Sequence, residues 1–346
     1  MNNTTLKLVI EECETYEACL GKLNIPSSSL RLIKLYVLLP ISLIGVVFNW
    51  ISYKVFSDTA VFTKRIYSYL TVYSINSAFL GLLDSVFYLM SLKVNGVILN
   101  YSFYECSFYV SYAYLPLHLT LFFFGSILDC FLVFDRIRFM TNSFRFVDSL
   151  PISAIMYGAF AYCFIVDLPV FFYSEPARAE FLLNSTSLIG VYWTSKTPFY
   201  SSSLGFIFNF IQYFLDDFCM LCLEVSLNIA SCYLLRKKIK ELNETMFLRE
   251  QVQDISASEL SLIQELKSIQ RTETRLTIIT IVLCSFSSLE HIFVLSANVV
   301  AKIFDNQTLN NLLNLSFVFV TLKSVSNFFV FYFVNEKFKE KINEHF

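Results

Sequence analysis

The stretch SFYVSYAYLPLHLTLFFFGSILDCFLVF, residues 107–134, runs directly into DRIR, residues 135–138. Apart from Asp129 and His118, the first part is apolar, aromatic or hydroxylated. A helix needs about 20 such residues to cross a bilayer, so this run is long enough. Asp135 and Arg136 then mark where the helix leaves the apolar layer. Six further runs of the same kind surround it: Leu35–Tyr53, Ile66–Leu92, Leu150–Tyr173, Ser203–Leu235, Leu276–Ala301 and Asn310–Val334. The expected fold is an all-α membrane protein, a seven-transmembrane helix bundle with a short C-terminal amphipathic helix.

Composition agrees with this. Hydrophobic residues make up 55% of the 346 and charged residues 16%, where soluble domains carry about 25% charge. The 38 Phe and 20 Tyr suit contact with lipid tails and anchoring at the interface. No soluble domain, internal repeat or low-complexity stretch interrupts the pattern. The opening residues are polar and acidic, so no secretory leader is expected and the first span serves as its own insertion signal. The expected division is an extracellular segment 1–34, a seven-helix domain 35–334 with its long polar loop at 236–275, and a short cytoplasmic tail 335–346.

Loops on alternate sides differ in character. N-x-Ser/Thr glycosylation sequons stand at Asn2, Asn3, Asn100, Asn184 and Asn306, which a seven-helix layout puts on one side. A sequon at Asn243 falls on the other side, so the joint pattern carries the argument. Basic residues gather opposite: Lys54, Lys64 and Arg65; Arg136, Arg138 and Arg145; Arg236, Lys237, Lys238 and Lys240; Lys337, Lys339 and Lys341. Short connections rich in Lys and Arg stay in the cytosol. The N-terminus is therefore expected outside and the C-terminus inside, with the protein in the plasma membrane. Cys13, Cys19 and Cys106 then lie in extracellular segments where disulfides form. Three is odd, and the sequence does not choose the pair.

Catalytic patterns are missing. Cys219 and Cys222 have no second ligand pair and read as small apolar helix residues. The three His are scattered, and no Gly-rich phosphate loop exists. Neither an enzyme, a cofactor, a metal site nor a nucleic-acid partner is expected.

Asp135-Arg136, ending the third of seven helices on the basic side, resembles the Asp-Arg-Tyr motif of rhodopsin-like G-protein-coupled receptors, with Ile137 in place of the Tyr. In that family the Arg changes partners between resting and active states and meets the G protein. Other helices carry partial matches. Asn49 follows Gly45 in helix one, and Asn76 stands where the family usually has an Asp. Ser326-Asn327-Phe328-Phe329-Val330-Phe331-Tyr332 is similar to Asn-Pro-x-x-Tyr without its Pro. Asn335-Glu336-Lys337-Phe338-Lys339 resembles the amphipathic helix on the inner membrane face. Helix six lacks Trp-x-Pro, helix four lacks its Trp, and no Cys lies between helices four and five. The chain thus resembles a divergent invertebrate-type orphan or chemosensory receptor. The resemblance implies two partners besides membrane lipid: a heterotrimeric G protein and an extracellular ligand, either peptide or small molecule.

Intramembrane charges are costly and usually functional. Lys323 lies four residues before Asn327, and Asp129 seven before Arg136, at the same level of the bundle. The expectation is that the Lys323 ammonium takes the place where the family often binds sodium, and pairs with Asp129. At an effective dielectric of 20 and ~4 Å such a pair gains about 4 kcal/mol before desolvation. A retinal-bearing lysine would fall at Thr321 instead, which speaks against an opsin. Asn49, Asn76, Asp129 and Lys323 are read as a polar network inside the bundle, and Asp135, Arg136 and Asn327 as the switch. His118, Glu290 and Asp84 are the expected ligand contacts, with Asp167 and His291 also in outer halves of helices. Asp216, Asp217 and Glu224 crowd helix five, Asp217 and Glu224 on one face. The alternative function is a seven-helix ion channel or transporter, with these acids and Lys323 lining a pathway.

Overall fold

A computed structural model describes residues 11–13, 28–58, 60–62, 64–94, 97–99, 103–141, 143, 149–183, 187–250, 257–303 and 306–345. Six helices among the described residues are long and apolar enough to cross a membrane. Four of them are α1 (Arg31–Phe56), α2 (Arg65–Leu89), α3 (Tyr104–Thr141) and α4 (Ile152–Phe172). Next comes α5, which joins Ser203–Tyr213 through Phe214–Cys219 to Met220–Glu250. The sixth is α6 (Ala257–Ile303), of which Arg271–Ser296 is apolar enough to span. A further long helix, α7 (Asn306–Val334), packs against α6 and α1, and α8 (Glu336–His345) turns off its end. Helices α2 and α3 are the most enclosed, whereas α1, α4 and α5 turn most of their surface outward.

Two of the spans change their hydrogen-bond pattern for a local reason. Proline has no N–H and its ring clashes with the carbonyl four residues earlier, so an extra residue enters the preceding turn. Pro40 follows a π-helical turn at Lys34–Leu38, and Pro116 follows one at Val110–Tyr114. A third π-helical stretch, Phe214–Cys219 in α5, contains no proline but holds Asp216 and Asp217. Small residues let three helices approach closely. A Cβ on Gly45 of α1 would come within 2.9 Å of Ser324 Oγ on α7, and one on Gly81 of α2 within 3.1 Å of Val46. Ser42 and Ser85 both donate to the Gly81 carbonyl, at 2.7 and 2.8 Å. An aromatic core at the α8 end joins Phe56, Phe62, Tyr67, Phe331 and Phe338. Phe338 is the anchor that holds α8 to the bundle.

Beyond the expected helices, the opposite end carries strands. β1 (Glu11–Cys13) pairs in parallel with β4 (Ser174–Leu183), which pairs antiparallel with β5 (Ser187–Lys196). A two-residue ladder, β2 (Lys93–Val94) with β3 (Val97–Ile98), follows α2. Ala179, Phe181 and Val191 face inward along the long hairpin. Period-two alternation there was hidden in the sequence by the adjacent Leu182-Leu183 and Leu188-Ile189. Spans also run past their apolar runs: α3 continues to Thr141, α5 to Glu250, and α6 begins at Ala257, because polar helix goes on beyond the lipid layer. Asn2, Asn3, Cys19, Asn100 and Asn184 lie outside the described residues, as do the side chains of Cys13, Asn243 and Asn306.

Candidate functional site: three tiers of buried polar contacts

The interior polar side chains form three tiers. At the α8 end, Arg136 is held from two sides. Its guanidinium donates to Asp135 at 2.5 Å and to Glu273 of α6 at 2.8 Å. Arg138 also donates to Asp135, at 2.9 Å, and Lys64 at the start of α2 pairs with Glu273. Arg136 and Asp135 are buried, Glu273 is 12% exposed, and Lys64 is open to solvent. Charge-assisted bonds of this kind are short and strong. The Arg136–Glu273 contact ties α3 to α6, and solvent reaches one of its partners. The ring of Phe139 is shared by Arg136 and Lys238, at 5.4 and 4.9 Å.

The middle tier lies deeper in the bundle. Lys323 Nζ lies 3.1 Å from Asp129 Oδ2 and 3.0 Å from Glu290 Oε2, and donates to Ser287 at 2.9 Å. The structure therefore brings Asp129 and Lys323 together, and adds Glu290. Glu290, expected as a ligand contact, is paired with Lys323, as a buried carboxylate needs a cation within reach. Beside this group, His291 of α6 meets Ser126 of α3 at 2.9 Å and Asp217 of α5 at 3.4 Å. Glu224 lies 3.7 Å from the same ring and accepts from Ser288 at 3.1 Å. Asp217 and Glu224, expected on one face of helix five, both address His291. Asp216, its neighbour in the π-helical stretch, lies beside Asp167 of α4, which accepts from Gln212 at 2.6 Å.

Asparagines stitch the remaining helices to this tier. Asn49 donates to the carbonyls of Gly45 and Ser324, at 2.8 and 2.9 Å. Asn76 donates to the Leu121 carbonyl at 2.9 Å, joining α2 to α3. Asn327 donates to Tyr73 at 3.4 Å. Between Asn76, Asn327, Glu290 and Lys323 is a cavity of about 30 Å³, room for about one water.

At the hairpin end, Asp84 of α2 accepts from Tyr114 of α3 at 3.1 Å and lies 3.0 Å from His118 Nδ1. Tyr88 meets Thr321 of α7 at 3.3 Å. Asp84 and His118 are both buried and face each other, so they form one unit rather than two separate contacts. Cys106 carries a free thiol.

No protein-family model matches the chain, and no characterised protein matches it in sequence. Among solved structures, squid rhodopsin superposes with a TM-score of 0.62 at 12% identity, covering 92% of this chain and 86% of that one. The fold is that of rhodopsin. This establishes the seven-helix architecture expected from the apolar runs, with the ends of α3 and α6 adjoining at the rhodopsin-like bundle's α8 end.

Glu273 was missed in the sequence. Its only signal was an acid amid the bases of Gln270-Arg271-Thr272-Glu273-Thr274-Arg275, where a solvated charge is the ordinary reading. Three ties fix α8 and its surroundings. Arg275 pairs with Glu336 at 2.5 Å, Lys341 pairs with Asp58 at 3.0 Å, and Asn335 caps α8 by accepting from Phe338 N at 3.2 Å. The Arg275 hydrogen bond lowers the Glu336 carboxyl below its ordinary value, and Lys341 does the same for Asp58. Lys341 is itself raised by Asp58.

Proposed function

We propose that this chain is a plasma-membrane receptor that binds an extracellular ligand, peptide or small molecule, and activates a heterotrimeric G protein. The observation that carries the reading is the doubly held Arg136, bound to Asp135 on its own helix and to Glu273 on α6. A cation with two alternative carboxylates at the mouth of a helix bundle is suited to exchanging partners. In the resting packing Glu273 keeps α6 against α3. Ligand binding favours a second packing in which α6 moves away and Arg136 faces the G protein. Asn327 and Tyr73 connect that movement to α7 and α2.

Orientation follows from the basic loops: the hairpin end is outside and α8 lies on the cytosolic face. Glycans on Asn2, Asn3, Asn100, Asn184 and Asn306, and a disulfide between Cys13 and Cys19, the candidates left beside the free thiol of Cys106, belong to this topology. Asp84 and His118 lie on the ligand side, where an incoming hydrogen-bonding group would compete for their contact. Glu290 acts one level deeper, through Lys323. The narrower assignment as an invertebrate-type orphan or chemosensory receptor rests on the motif departures in helices four, six and seven. The channel or transporter alternative is less favoured by a cavity beside Lys323 that has room for only about one water.

Nucleotide exchange on a panel of G proteins tests the proposal. Wild type is expected to accelerate exchange on at least one member, and Arg136→Ala to abolish it at equal surface expression. No coupling to any member, from correctly inserted protein, would move the assignment to a channel or transporter.

A further inference from the structure

The outer ends of α4 and α5 enclose a groove unconnected with the three tiers. Its volume is about 930 Å³, within the range of about 300–1,000 Å³ that small-molecule sites occupy. Aromatic rings form its walls. Phe199 meets Phe172 edge to face at 6.1 Å and stacks with Tyr173 at 6.1 Å, with Phe208 beyond it at 6.4 Å. Ile165, Leu168 and Phe172 are exposed on the outer surface of α4, where the spanning segment meets lipid. A ligand would therefore enter from the bilayer rather than from water.

Polar groups in the groove are few, and they select. No charged side chain lines it. That disfavours phosphate headgroups, amines and fatty carboxylates, whose charges would lose water without a counter-charge. Thr197 is already committed: its hydroxyl donates to the Phe172 carbonyl at 2.5 Å and accepts from Tyr200 N at 3.3 Å. Ser174, at the start of β4, is different. It lines the groove and is only 6% exposed, and its hydroxyl has no partner. Buried hydroxyls almost always have one. The groove, which Tyr112 also lines, thus combines an aromatic wall, access from lipid, no charge, and a buried hydroxyl without a partner at its end.

We infer that this groove binds a neutral, rigid membrane lipid bearing a single hydroxyl, a sterol, with the hydroxyl on Ser174 Oγ and the ring system against Phe172 and Phe199. The site bears on the packing of α4, α5 and the hairpin. It does not depend on G-protein coupling.

The test uses the full chain in nanodiscs and a photoreactive cholesterol analogue, with adducts mapped by mass spectrometry. Adducts should concentrate on residues 165–174 and 197–208, and unlabelled cholesterol should displace them where phosphatidylcholine does not. Ser174→Ala should lower labelling about three- to ten-fold, the worth of one hydrogen bond, and Ser174→Thr should restore it. Phe199→Trp, which fills the groove without removing apolar surface, should also suppress labelling. Adducts no denser here than along α1, equal competition by phosphatidylcholine, or unchanged labelling of Ser174→Ala would each overturn the inference and leave ordinary boundary lipid.

Discussion

Arg136 and Lys323 are both buried cations with two carboxylates each, yet they work in different surroundings. Lys323, 12% exposed, lies mid-bundle between Asp129 and Glu290, whose carboxylates are both buried. Arg136 sits at the rim, where Glu273 is partly exposed and shares its charge with Lys64. Removing one member of a buried pair strands a charge and costs about 3–5 kcal/mol. At the rim, water repays much of the loss. On the proposed reading, the middle cluster fixes how α3, α6 and α7 pack, while the rim cluster decides between packings. A switch needs the second property, and a bundle that survives switching needs the first.

The largest expected effect breaks the middle tier. Lys323→Ala leaves Asp129 and Glu290 facing each other without a cation. Detergent-solubilised protein should lose thermal stability by about 3–5 kcal/mol, with surface expression falling to match. The triple variant Lys323→Met, Asp129→Asn, Glu290→Gln should recover most of that loss. If Lys323→Ala melts like wild type, the cluster is not a structural clamp.

Breaking the rim should give the opposite phenotype. Glu273→Gln removes the α3–α6 tie with little change of shape. A loss of about 1–2 kcal/mol from the resting packing shifts the equilibrium about five- to thirty-fold. Basal nucleotide exchange should rise while the melting temperature changes little. Unchanged basal exchange, together with normal ligand-driven coupling, would mean that Glu273 is a bystander.

A smaller effect is expected at the hairpin end. His118→Phe leaves Asp84 with Tyr114 alone. His118 approaches Asp84 at 3.0 Å without an aligned hydrogen bond, so its removal costs the resting bundle about 1 kcal/mol or less. Ligand potency should change more than basal exchange, as a dose–response series would reveal. Equal changes in both would place the pair in the switch instead.

The smallest effect concerns α8. The Glu336 and Asp58 carboxyls are lowered by Arg275 and Lys341. Their contribution is therefore present above the ordinary carboxylate range near about pH 4 and is lost as pH falls through their lowered values. Lys341 is raised, so its share is present below the ordinary lysine range and is lost only as pH climbs through its raised value. A spin label on α8 should gain mobility in acid, and high salt should mimic the change because these ties are exposed. Mobility that is constant from neutral pH to below pH 3 would show that Phe338 packing alone holds α8.

Legibility in the sequence follows the same division. The spans could be read because lipid imposes a long-range rule on composition, and Lys323 and Asp129 because a charge in such a run stands out. Glu273 could not, since an acid among bases in a polar loop looks like solvated surface until α6 is seen to extend through it. The Glu290–Lys323 contact is not legible in the sequence, because their proximity across two helices is a tertiary fact. The hairpin was lost to apolar pairs at its tip, and the Asp216–Asp167 contact to the π-helical stretch that holds Asp216.

The central claim is that Glu273 on Arg136 holds α6 closed. Distance measurement between spin labels at Thr141 on α3 and Lys267 on α6, in nanodiscs without ligand, tests it most directly. Wild type should give one short-distance population, and Glu273→Gln should add a longer one that G protein enriches. A Glu273→Gln distribution identical to wild type, with and without G protein, would contradict the account.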